Sequence, residues 1–401
     1  MTLWSGRVET SLDPRVWAFV VTEDAELLPY DLQGTLQHAQ RLHVAGLLDD
    51  AELAEIEEKL RAIGPDDFEP EDEDVHSAIE RLLGPVGRKV HAGRSRNDQV
   101  ATAHRLYVQD ACAEASDALH ELAPALLAIA EAEAATPMPS YTHLQRAIPV
   151  TLGHHMLAWV EMLERDVHRF ELAHKASEPS PLGAGAVAGS TLSLPAPPNA
   201  MRNTIDAVAD RDFVLDYLYA CTVLFVHLSR IAEEICIWAT SEFGFVQLPE
   251  DAATGSSMMP HKLNPDVAEV ARGKAGTAIG RLTGLLATVK SLPLAYNSDL
   301  SEDKQATFRA RRDVALGLPA LTVLVQGLAF DRDRLGAAAS DPLLRATDAA
   351  EALVEQGMPF RDAHDVVASE VRSGTFEPGA PRSRGFDVEA AVAAAKERWQ
   401  C

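Results

Sequence analysis

VLDYLYACTVLFVHLSRIAEEICIW, residues 214–238, decides the fold class. Leu218, Cys221, Phe225, Leu228, Ile231 and Ile235 recur at steps of three and four, which puts them on one face of a 3.6-residue helix. The stretch is apolar enough to want burial on more than one side, so self-association is expected. Towards the N-terminus, residues 99–133 contain no glycine, and Leu119, Leu122, Leu126 and Ile129 form a second stripe. At 1.5 Å per residue that helix would span about 50 Å, more than a compact domain needs for itself. Towards the C-terminus, Ile279, Leu282, Leu286 and Val289 form a third. Alternating apolar patterns are rare and aromatics are only 6% of residues, so strands are disfavoured. The reading is an all-α protein built on an extended bundle of long helices.

The flanks are shorter-ranged. Residues 1–95 alternate charged helical patches with breakers, as where Leu53, Ile56 and Leu60 mark a helix that Gly64 and Pro65 stop. Residues 96–335 carry the long helices. Beyond them, DPLLRATDAAEALVEQGMPFRDAHDVVASEV reads as two short helices around GMP, followed by TFEPGAPRSRG and a last helix from Val388. Residues 336–401 are therefore expected to form a small C-terminal helical domain, and the chain three domains.

The chain has 401 residues, 47% of them hydrophobic and 24% charged, which is ordinary globular usage. Its net charge of −24 repels phosphate backbones and anionic lipid at long range, so nucleic acid and membrane are not expected partners. A small anionic substrate stays open, because a cleft needs only a few local cations. Cys112, Cys221, Cys236 and Cys401 have neither zinc-ligand nor disulfide-scaffold spacing. No basic leader with a sustained apolar run and no stretch of about 18 apolar residues is seen, so a cytoplasmic protein is expected.

Three segments carry chemistry. In GSSMMPHKLNPD (255–266) a permissive glycine-serine loop runs into Lys262 and a helix start marked by Asn264, Pro265 and Asp266. A hydroxyl, an ammonium and helix N–H donors could surround one anion there. Composition alone is equally consistent with a capped surface loop. In HAGRSRNDQV (91–100), Arg94 and Arg96 offer planar forks for carboxylate, Ser95 and Asn97 add orienting hydrogen bonds, and Asn97 or Asp98 would cap the long helix. A solvated basic turn is the plainer account. In YTHLQRAIPV (141–150), His143 is a candidate acid or base ahead of a helix that Pro149 would begin, although a lone histidine is more often structural. The glycines of PLGAGAVAGS (181–190) lack the strand a dinucleotide site needs, and adjacent His154 and His155 would point to different helix faces.

Taken in order, HAGRSRNDQVAT, YTHLQRAIPVTLGHH, PLGAGAVAGST, NTIDAVADRD, GSSMMPHKLNPDVAEVARGKAG and PLAYNSDLSEDK resemble argininosuccinate lyases. Three of these blocks are shared with the wider fumarase/aspartase superfamily. The resemblance implies a three-domain helical subunit in a homotetramer whose active sites are each assembled from three subunits. It implies reversible elimination of argininosuccinate to arginine and fumarate, in arginine biosynthesis, with no metal or organic cofactor.

By the same resemblance Ser256 takes the Cβ proton, while Lys262 and Asn264 stabilise the developing aci-carboxylate. His143, oriented by Glu269, matches the residue that protonates the leaving nitrogen or assists the acid step. Ser95, Arg96, Asn97 and Thr142 match carboxylate-binding positions, and His76 matches a further site histidine. Tyr296, Ser301 and Lys304 fall at substrate-contact positions, and Asp24 matches a carboxylate facing the arginine-like end. The chain departs from the family pattern at His261 and Leu263, where glutamine and lysine are usual. It departs again at Val20, Ser298 and Ser301, and its C-terminal domain looks shortened. These departures keep two alternatives open: a lyase for another substituted succinate, and a weakly active structural homologue.

Overall fold

The computed structural model describes residues 12–69 and 71–400. The first eleven residues of the expected leaderless N-terminus and Cys401 lie outside the described residues. Helices α1 (Pro14–Val20), α2 (Leu28–Val44), α3 (Asp50–Ala62), α4 (Val75–Leu83) and α5 (Gly87–Val90) precede the long α6 (Arg96–Ala132). A hairpin, β1 (Pro137–Thr142) with β2 (Gln145–Thr151), leads into α7 (Leu152–Ser177), then the short α8 (Thr204–Ala207) and α9 (Asp212–Trp238). Strand β3 (Val246–Gln247) and the small pair β4 (Thr254–Gly255) and β5 (Leu263–Asn264) come before α10 (Asp266–Val289) and α11 (Asp303–Gln326). Strand β6 (Ala329–Phe330) pairs with β3, and α12 (Arg332–Ala339), α13 (Ala346–Glu355), α14 (Phe360–Ser373) and α15 (Val388–Trp399) complete the chain. The fold is a bundle of long helices, and no described helix is long and apolar enough to cross a membrane.

The α9 stripe is the core. Leu218, Cys221, Phe225, Leu228, Ile231 and Ile235 are all buried, as are Phe213, Tyr217 and Trp238, which extend the same face. Each such side chain contributes about 1.5–3 kcal/mol of transfer free energy. The chain thus covers α9 itself, and self-association does not follow from that stripe. Apolar exposure falls instead on Val270, Ile279 and Leu286 of α10 and on Leu316 and Val323 of α11. Helix α6 continues through Pro124, which removes one ladder donor without ending the helix.

The chain divides into two compact units. One comprises residues 12–116, 168–223 and 276–314; the other comprises 117–167, 224–275 and 315–400. In the first, α3 opens with a capping box in which Asp49 accepts from the Glu52 N–H and Glu52 reaches back to the Asp49 N–H. In the second, α13 and α14 enclose a small cluster of Ala350, Ala363 and Val367.

Two local expectations change. Pro149 does not begin a helix: it pairs with Pro139 inside the hairpin, and α7 starts at Leu152. A proline lacks the N–H of a central strand but is tolerated in a two-stranded ribbon, where one side of the backbone has no partner. The start of α6 is capped by Ser95, whose Oγ accepts from the Asn97 N–H at 3.3 Å, while Asp98 returns a carboxylate to the Ser95 N–H at 2.8 Å.

Candidate active site

In the first unit the charges of the GRSRND turn are used locally. One oxygen of Asp98 accepts from Ser95, and the other accepts from the N–H groups of both Gly183 and Gly185 at 2.9 Å. The glycine loop is therefore a backbone cradle for a carboxylate of this chain. Gly185 sits at φ 61° and its Cβ would meet the Gly189 carbonyl oxygen at 2.8 Å, so a side chain is excluded there. Arg94 is buried, with Nη1 on Thr35 Oγ1 at 2.9 Å, which leaves Arg96 to line the cavity.

That cavity, about 1150 Å³, gathers Asp24, Ser95, Arg96, Asn97, Tyr296, Ser301 and Lys304. Val20 and Ser298 line it too. Arg96 is held by Asp74, the N-cap of α4, at 3.0 Å. His76 stands behind the wall, with Nδ1 3.1 Å from Asp31 and Nε2 3.8 Å from Asp24. Burial raises the Asp24 carboxyl above its usual range, and the nearby His76 opposes that shift. Burial acts the same way on Asp31, but His76 and Arg94 outweigh it and hold Asp31 ionised.

Lys304 is buried, with Nζ 3.6 Å from Asp303. Burial works against ionisation of Asp303, yet Lys304, Arg211 and His104 together hold its carboxyl far below the ordinary value. Motif reading missed Asp74 and His91, both of which line the cavity. Asp74 was legible only as a helix cap before Ser77. Burial, then the charges of Arg94 and Arg96, push His91 down to about 4, so it is neutral at pH 7.

The second unit carries Thr142, His143, Ser256, Lys262, Asn264 and Glu269. His143 and Leu144 are the two turn residues of the β1–β2 hairpin, at φ 54° and 56°. Positive φ at both positions is the twist-matched hairpin turn, and it presents His143 at an exposed tip. The 255–263 loop is closed at its base where Gly255 pairs with Leu263 and Thr254 with Asn264. Ser256 Oγ accepts from the backbone N–H of Met259 at 3.0 Å and of Met258 at 3.3 Å. Asn264 Nδ2 donates to the Gly255 carbonyl at 3.4 Å, and Lys262 is exposed. Glu269, in the first turn of α10, takes Arg272 at 3.4 Å. His261 and Leu263 are exposed on the same loop. Among the described residues no cluster of three or more His, Cys, Asp or Glu could hold a metal ion.

Residues 23–280 match the Lyase family, and residues 343–377 match the argininosuccinate lyase C-terminal family. The chain is 46% identical over 395 residues to an argininosuccinate lyase of Synechococcus sp. (strain JA-3-3Ab), covering 93% of this chain and 81% of that protein. It is 48% identical over 393 residues to one from Frankia casuarinae, with 92% and 84% covered. Among solved structures, an EDDS lyase in complex with formate matches with a TM-score of 0.77 at 26% identity, over 98% of this chain and 86% of that one. A class II fumarase from Schistosoma mansoni matches with a TM-score of 0.77 at 15% identity, over 95% and 88%, and speaks for the fold alone. With collinear motifs, a matching bundle and relatives of this identity over nearly the whole chain, the protein belongs to the argininosuccinate lyase family of the fumarase/aspartase superfamily.

Proposed function

We propose that the protein is a carbon–nitrogen lyase that reversibly cleaves argininosuccinate to arginine and fumarate. The observation that carries the chemistry is Ser256, whose Oγ accepts two backbone N–H donors within a loop closed by β4 and β5. Donors already aimed at a hydroxyl oxygen favour its ionised form, which a serine needs to act as a base.

Ser256 takes the proton from Cβ, and the electron pair moves into the adjacent carboxylate as an aci-carboxylate that Lys262 and Asn264 stabilise. The C–N bond then breaks to give fumarate. The departing guanidino nitrogen gains a proton from His143, with Glu269 as its orienting carboxylate. Thr142, Ser95, Arg96 and Asn97 take the succinyl carboxylates. Asp24, with His76 behind it, takes the cationic arginine end, and Tyr296, Ser301 and Lys304 complete the binding set. No step requires a metal or organic cofactor.

The working enzyme, in this reading, is a cytoplasmic homotetramer of three-domain subunits with sites shared between chains. Exposed Val270, Ile279, Leu286, Leu316 and Val323 supply apolar surface for such contacts, and the free thiols Cys112, Cys221 and Cys236 fit a reducing compartment.

The test is fumarate release from argininosuccinate, with adenylosuccinate, aspartate and malate in parallel and Ser256→Ala as control. Release from argininosuccinate alone, abolished in the control, is expected. A second reading, a lyase for another substituted succinate, is favoured by the placement of Val20, Ser298 and Ser301 on the cavity lining. Release from one of the other substrates, with none from argininosuccinate, would establish it instead.

A further inference from the structure

The first unit holds a second cavity, about 530 Å³, that shares no lining residue with the one described above. Its floor is Thr102 and Arg105 of α6 with Arg41 of α2, and one wall is the proline run 195–198. Arg105 is neutralised by Asp210, and its guanidinium stacks on Phe213 at 4.3 Å.

Arg41 is different. It is nine-tenths buried and has no carboxylate within ion-pair distance among the described residues. Its Nε donates to the Pro195 carbonyl at 2.7 Å and its Nη1 to Nδ1 of His38 at 3.1 Å. Burial and the charge of Arg94 push His38 down to about 3, so it is neutral, accepts from Arg41 and adds no second cation beside it. The opposing charge that acts on Arg41 is Asp98, whose oxygens already hold Ser95, Gly183 and Gly185. Among the described residues Arg41 Nη2 has no acceptor, and the amides of Gln37 and Gln40 on the lining make no side-chain hydrogen bond.

A buried guanidinium with no carboxylate in direct contact among the described residues suits one anionic group in the cavity it lines. Glu178 on the lining repels a second carboxylate, and the proline wall offers an apolar surface. We propose that this cavity binds a small monocarboxylate with an apolar body, its carboxylate on Arg41, Gln37 and Gln40. Occupancy couples to substrate binding through the loop that Arg41 grips. Gly183, whose Cβ would meet Arg41 Nη2 at 2.7 Å, donates to Asp98, and Asn97 Nδ2 donates to the Ala186 carbonyl at 3.2 Å. The ligand therefore changes KM more than kcat.

Benzoate is the probe, with acetate and fumarate as comparators, and binding to the full chain is read by saturation-transfer NMR. The result does not depend on which succinate the enzyme cleaves. Expected are binding in about the millimolar range and a loss of about tenfold or more in both Arg41→Gln and Gln40→Glu. Acetate should bind more weakly, and fumarate should not displace benzoate. Gln40 is exposed, so its variant is informative even if Arg41→Gln fails to fold. Absence of a benzoate signal, equal binding by Gln40→Glu, acetate as good as benzoate, or displacement by fumarate would each overturn the proposal.

Discussion

The carboxylate of Asp24 lies 3.8 Å from Nε2 of His76, and both side chains are buried. Asp31 lies 3.1 Å from Nδ1, the other ring nitrogen of the same imidazole. Asp24 is thus a desolvated carboxylate at the cavity wall, suited to a cationic group of a ligand.

Its pH dependence has the reverse sign of the usual carboxylate. Burial raises the folded-state pKa of Asp24, so the unfolded chain loses that proton first and the native state weakens as pH rises from the ordinary value through the raised one. Asp24→Asn, which keeps an acceptor for the Val75 N–H, should gain stability relative to wild type over that window and hold the gain at pH 7. Substrate KM should rise with it. Urea unfolding at acid and neutral pH measures the difference, and a gap that shrinks with rising pH would refute the assignment.

Asp303 has the opposite sign. Its carboxyl is held well below the ordinary range by Lys304, Arg211 and His104 despite burial, so its contribution is present above the unfolded value and fades as pH falls below it. Asp303→Asn leaves buried cations without their counter-ion and should cost about 3–5 kcal/mol at neutral pH, with the cost narrowing in acid. Equal denaturation midpoints for variant and wild type at pH 7 would count against it.

Asp98 serves three backbone donors at once. Asp98→Ala should destabilise by about 3 kcal/mol and raise hydrogen exchange at Gly183 and Gly185, because each buried donor loses its acceptor. Unchanged exchange at both glycines would mean that the loop is held by other contacts.

Leu144 adopts a left-handed conformation with its side chain 71% exposed, so it carries a backbone cost with little packing in return. Leu144→Gly should stabilise the hairpin by up to about 1 kcal/mol, seen as a higher melting temperature. A lower one would show that Leu144 packs against something in the assembled enzyme.

Sharing of sites is checked by mixing. If the proposed homotetramer forms, Ser256→Ala and His143→Asn assemblies should each lose about 10²–10⁴ of turnover while keeping their fold. Tetramers reassembled from both should regain part of it, because some sites then combine two intact residues. Mixed tetramers as inactive as their parents would argue for sites built within one chain.

Much of this was legible in the sequence because helices announce themselves locally. The stripes in α6 and α9, the paired short helices α13 and α14 and the start of α15 follow from apolar spacing and breakers a few residues apart. The hairpin at 137–151 was not, since its signal is a two-residue turn of His and Leu, types that rarely accept positive φ, flanked by prolines. The glycine loop was read only as lacking a dinucleotide setting, because its acceptor, Asp98, lies 85 residues away in sequence.

By itself, then, the sequence determined the helical class, the order of the motifs and the residue types proposed for the chemistry at Ser256, Lys262 and His143. The tertiary structure alone decided that Asp24, His76 and Asp31 form one buried chain and that Arg94 is internal while Arg96 faces the cavity. It alone decided that Arg41 is buried with no carboxylate in direct contact among the described residues. The physical reason is range: helical periodicity is written within a turn or two, whereas desolvation and ion pairing depend on which distant segments exclude water from a given charge.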